Sequence, residues 1–251
     1  MNVINRHIYK AIREYQSKYP ILAVTGPRQS GKTTLLKTLF PDYRYVSLEN
    51  PSLSTDHIEA LTTSQAANLT AVQLNSLNSE QIGTLDTAGI AALNVSTLGK
   101  LSTGNAQALS SDQVKALSAK QLQSLDSEQL QALGNDVLAL DTAQLSGLKA
   151  SQISGLTTAQ LNGLSTDQLR SLTGSQVTAM TTAQFAALDS DNINSLTSRQ
   201  FASITAAQVN ALGSISNITT EGLVALSNKA IEGMSTSAVQ ALTTDQVSQL
   251  T

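Results

Sequence analysis

The sequence predicts a mainly α fold: a solenoid of short helices made from about 25 octapeptide repeats, preceded by a small, incomplete α/β P-loop segment. Three observations lead there. From Leu53 onward the chain rewrites one octad, Leu-Thr-Thr-Asp/Ala-Gln-Leu-x-Ala, as in residues 156–163 followed by 164–171. In most octads a hydroxyl or carboxylate at position two stands three residues before a glutamine, the spacing of a helix capping box. The acids of the same region gather where those helices would begin.

Taking Leu53 as position one, octads follow one another to Leu133, where one unit has seven residues. They resume at Leu140 and run to Ala211; a six-residue unit opens at Leu212, and octads return at Ile218, Leu226, Met234 and Leu242. Position one is always Leu, Ile or Met, position six is mostly Leu, Ile or Val, and position eight is usually Ala, Ser or Gly. Apolar residues five and then three apart form no stable face on a continuous helix, because position six lies about 140° around from position one. The spacing also breaks strand alternation. A short helix restarted in every octad satisfies it. Position one then precedes the N-cap and position six is the fourth helical residue, the two partners of a hydrophobic staple.

The charges agree. Nine acids sit at position four, in the first helical turn: Asp56, Glu80, Asp112, Glu128, Asp136, Asp167, Asp191, Glu221 and Asp245. Asp86, Asp126, Asp141 and Asp189 occupy the cap position itself. Thirteen of the fifteen acids after residue 52 therefore lie where a helix amino terminus favours negative charge. One octad buries too little to offset the ordering of eight residues, so neighbours must stack. The small residue at position eight lets successive turns approach. The expected object is a compact coil around a narrow Leu/Ile/Val core, with Ser, Thr, Gln and Asn outside. The alternative, a disordered polar tract, is opposed by the faithful aliphatic positions and the low net charge.

Composition divides the chain at Pro51/Ser52, giving a segment 1–52 and an octad array 53–251. All four prolines and all five tyrosines precede residue 52. Residues 1–52 hold eight Lys/Arg and three acids, net +5; the remainder holds seven and fifteen, net −8. Without cysteine there are no disulfides or thiolate metal sites. The charged amino terminus lacks the apolar core of a signal peptide, and no run approaches the ~18 apolar residues of a membrane span, so a cytoplasmic location is expected. No basic surface with aromatic platforms points to nucleic acid. His7 and His57 stand apart from each other and from carboxylate clusters, which gives them structural roles.

Residues 20–33 read PILAVTGPRQSGKT: Gly26-x4-Gly31-Lys32-Thr33, a P-loop, after an apolar strand at 21–24 and before a helix at 34–40. Glycines let backbone N–H groups curl around phosphate oxygens at a helix amino terminus. In this reading Gly26, Ser30, Gly31 and Thr34 line the phosphates, Lys32 reaches the β and γ phosphates, and the Thr33 hydroxyl holds Mg²⁺. With its surroundings to Pro51, including a second strand at 45–48, the segment resembles the start of the AAA-14 ATPases of bacteria and archaea. The resemblance implies ATP with Mg²⁺ as cofactor. Those relatives continue into a Walker B acid, sensor and arginine positions, and here octads begin instead. Val137-Leu138-Ala139-Leu140-Asp141 imitates a Walker B strand only because one unit has lost a residue, and Thr142 stands where a glutamate belongs. Asp189-Ser190-Asp191-Asn192 opens like a calcium loop but lacks the later glycine and glutamate. Both are read as structural.

The octad more loosely resembles the Leu-Thr-Thr-x-Gln arrays of large bacterial surface and secreted proteins, which implies a spacer, adhesive or scaffold role. Two functions follow from these readings. One is a non-enzymatic scaffold that meets a protein or surface partner through the solenoid. The other is an ATP-binding protein whose solenoid is the partner-binding arm.

Overall fold

The computed structural model describes residues 54–250. The expected strands at 21–24 and 45–48 lie outside them. Among the described residues there is no strand; α-helices of four to six residues follow one another from Thr55–Glu59 to Thr244–Gln249. The helical solenoid expected from the octads is what forms.

Local sequence sets each start. Thr157 is extended (φ −71°, ψ 157°) and caps the helix Thr158–Asn162. The Gln160 N–H donates to its Oγ1 at 3.1 Å, while the Thr157 N–H donates to Gln160 Oε1 at 2.9 Å. Asp86, Asp126, Asp141 and Asp189 accept from the backbone in the same way. Lys149 departs from the rule: it has no acceptor, and only its N–H is met, by Gln152 Oε1 at 2.9 Å. Helices end after little more than a turn. Position one of the next octad is usually extended, as at Leu172 (φ −61°, ψ 136°), and leads into the next cap.

Positions one and six form the core. Leu122, Leu145 and Leu169, at position six, are fully buried, and position-one residues such as Leu125, Leu148 and Leu172 are nearly so. Each helix packs against the third one along: Ala150–Gly155 meets Gly174–Ala179, and Thr142–Gly147 meets Thr166–Ser171. The small residue at position eight lies where turns touch. A Cβ on Gly233 would come within 2.5 Å of Ala206 Cβ, and one on Gly155 would overlap the Ser127 side chain.

Two short units keep the coil in step. The seven-residue unit forms a 3-10 helix, Gly134–Ala139, entered through Gly134 at φ 56°. The six-residue unit forms another, Ile215–Asn217. A 3-10 helix rises further per residue than an α-helix, so fewer residues cover the gap. Val137 and Ile215 then take the core places.

Leu122→Ala should cost about 3 kcal/mol, because a buried leucine leaves a cavity the tight coil cannot close. Val72→Thr, at a position 81% exposed, should change stability by less than about 0.5 kcal/mol. Urea melts followed by circular dichroism compare the two.

Candidate functional site

The glutamine at position five carries most of the polar chemistry of the coil, and it is not on the outside as expected. Gln176 and Gln208 are 2% exposed and Gln184 4%. Each one has its capping half: Gln176 Oε1 accepts the Thr173 N–H at 2.7 Å, and its own N–H donates to Thr173 Oγ1 at 3.3 Å. The remaining end of the amide turns inward. Gln176 Nε2 donates to the carbonyls of Leu145 at 2.8 Å and Leu148 at 2.9 Å. Gln200 does the same to Leu169 and Leu172, and Gln208 to Val177 and Met180. Those carbonyls end one helix and begin the next octad; the first of each pair also accepts a backbone N–H, as Leu145 does from Leu148 at 3.1 Å, so the amide adds a second donor there. The bonds span 31 and 28 residues, so the coil returns on itself every three to four octads.

The ladder reaches into both short units. Gln246 reaches Ile215 and Ile218 at 3.0 and 2.7 Å, and Gln168 reaches Leu138 and Leu140. Shorter residues at position five manage part of it: Asn105 Nδ2 donates to the Leu74 carbonyl, and Thr97 Oγ1 to that of Leu69. His57 uses Nδ1 only for the cap, 2.7 Å from Ser54 Oγ. Where position five is too small, space opens. A cavity of about 120 Å³ lies beside Ala238, lined by Val209, Leu212, Gly213 and Ile215 among others. A shallower recess of about 350 Å³ lies where Thr97 replaces the glutamine. At Gly222 the room is taken instead by the Phe201 ring, 2.7 Å from where a Cβ would sit.

A second ladder was missed by sequence reasoning. Asn75, at position seven, donates from Nδ2 to the Lys100 carbonyl at 2.7 Å and accepts the Ser102 N–H at 2.8 Å. Asn194 and Asn210 bridge in the same two-way fashion to the turn ahead. Their recurrence at position seven was the available signal. The carboxylates suspected of imitating sites are caps: Gln144 N–H donates to Asp141 at 2.7 Å and Asn192 N–H to Asp189 at 2.8 Å. Among the described residues no group of three His, Cys, Asp or Glu could hold a metal ion. Gly26, Ser30, Gly31, Lys32, Thr33 and Thr34 lie outside the described residues, as does His7.

Two family models match the chain. That of the ALTTAQ repeat matches residues 137–174, 166–198 and 215–251. The octads resemble the ALTTAQ repeat. The model of an AAA domain of the AAA-14 type matches residues 18–86. It contains the P-loop and runs past Pro51 across the first four helices of the described residues, from Thr55–Glu59 to Ser79–Thr84, which are capped like the rest. No curated protein matches the chain. No helix among the described residues is long and apolar enough to cross a membrane.

Glutamate can close a capping box but cannot donate to carbonyls, so Gln176→Glu tests the inward bonds. The variant should lose about 3 kcal/mol at neutral pH, from a buried carboxylate facing acceptors. Burial raises the folded-state pKa of that carboxyl, so the loss grows as pH rises from the unfolded pKa to the folded one and is relieved in acid. Urea melts at pH 4 and pH 8 read the difference. Conversely, Ala238→Gln should add about 1 kcal/mol by filling its cavity and meeting the Val209 and Leu212 carbonyls, measured in the same way.

Proposed function

We propose that the chain is a non-enzymatic repeat solenoid acting as a structural or interaction scaffold in the cytoplasm, headed by a P-loop segment. The observation that carries this reading is the use of the position-five amide. In most octads the position-five side chain is spent on joining one turn to another. What faces outward is a repeating surface of Ser, Thr, Asp and Glu at positions two to four. Such a surface suits many weak contacts with a protein or other extended partner, each adding to the rest through effective concentration.

A second reading is favoured by the AAA match over residues 18–86. In it the P-loop holds ATP: backbone N–H groups from Gly26 to Gly31, with Ser30 and Thr34, cradle phosphate; Lys32 neutralises charge; and Thr33 supplies the hydroxyl for Mg²⁺. The solenoid is then the arm that meets a partner.

Titration with labelled ATP and Mg²⁺ separates the readings, using the wild type and Lys32→Ala, with phosphate release followed in parallel. The scaffold reading expects equal, weak, non-saturating binding and no release above the variant. Saturable binding lost in Lys32→Ala establishes the second reading. Turnover lost in that variant removes the non-enzymatic one.

A further inference from the structure

Of the nine acids at position four, all but Glu128 follow one rule. From Asp56 to Asp245 they fall three, four, three, four, three, four and three octads apart, counting each short unit as one. That alternation is a period of three and a half octads. The amide ladder brackets the same period for the coil, because glutamines such as Gln176, Gln200 and Gln208 bridge to position six four octads back and to position one three octads back. Residues recurring at the period of the coil share one face of it. Seven of the eight are exposed and Asp136 is half-buried. Neighbouring turns of this face touch directly: Ser111 Oγ, beside Asp112, donates to Asp136 Oδ1 at 2.5 Å.

The charge is unevenly placed around the coil. The octads that make this face also carry Glu59, Asp189, Lys115 and Arg170, which leaves it net −8. The other octads hold five acids and five Lys/Arg, and so balance. The whole excess of negative charge in the array therefore runs along one side, about one position-four carboxylate per turn. The charge of the opposite sign in this chain is in residues 1–52, net +5, with Lys10, Lys18, Lys37, Arg6, Arg13 and Arg44 among its basic residues.

We propose that the acidic face of the solenoid is a docking surface for the chain's own basic amino-terminal segment, residues 1–52. Attraction between a line of carboxylates and a cationic segment acts over several turns at once and weakens with ionic strength. The octads supply the surface without loss to the fold, since an acid at position four also favours its helix start. The inference does not depend on whether the P-loop binds nucleotide.

Zero-length carbodiimide crosslinking of the full-length chain, read by mass spectrometry, tests it. Amide links should join Lys10, Lys18 and Lys37 to the position-four acids of the face, and should fall several-fold between low and high salt. A variant with Asp112→Asn, Asp167→Asn, Asp191→Asn and Glu221→Gln should lose the links to the untouched Glu80 and Asp136. A control with the same change in net charge, Asp86→Asn, Asp126→Asn, Glu128→Gln and Asp141→Asn, keeps its helix caps and should retain them. Helical circular dichroism of both variants confirms the coil. Wild-type links spread equally over Asp86, Asp126 and Glu128, links indifferent to salt, or links from the face to Lys100, Lys120 and Lys149 of another copy would overturn the proposal.

Discussion

One primary amide, repeated at position five, binds the molecule in two directions. Its oxygen and the backbone N–H beside it close the start of its own helix, and its nitrogen meets the carbonyls that end a helix one turn of the coil away. Helices this short leave a large share of their backbone groups without internal partners. A coil of them is stable only if those groups are met systematically. Glutamine does it at both ends with a single side chain, and because the amide is buried its bonds do not compete with water.

The rest of the packing follows from that reach. Bonds spanning 28 and 31 residues bring position five over the seam between positions six and one, which are the two greasy positions. Core and ladder are therefore the same contact seen from its apolar and polar sides. Each turn meets only the turns next to it, so stability is close to a sum of local terms. Defects stay local too. The short units at 133–139 and 212–217 are absorbed by 3-10 turns; Gln152 bridges the first to Leu122 and Leu125, over 30 and 27 residues, and after the second the amide bonds resume at Gln246.

Much of this was legible in the octad itself. The cap at position two, the staple from one to six, the acid at position four and the small residue at eight are all relations within eight or so residues, and all appear in the structure. The burial of Gln121, Gln129 and Gln176 was not legible that way, because the partner lies in another turn and a single octad does not encode the pitch. A trace of it was present: position five is never glutamate, although the neighbouring position is often acidic and a capping box accepts either. The exclusion of glutamate marks the need for a donor. The P-loop was readable for the opposite reason, since Gly26-x4-Gly31-Lys32-Thr33 is contiguous and its spacing is its mechanism. The AAA match over residues 18–86 takes in the whole P-loop and also the octads from Leu53 to Asp86, so the sequence transition at Pro51 and the end of that match do not coincide.

A pitch of three and a half units constrains how such an array can lengthen. Adding one octad supplies an equivalent cap and equivalent core contacts, yet swings everything beyond it by about two-sevenths of a revolution. Seven added together make two full revolutions and return each outward residue to its original bearing. Duplications of that size can extend the rod while keeping its sides distinct, whereas single insertions scramble them.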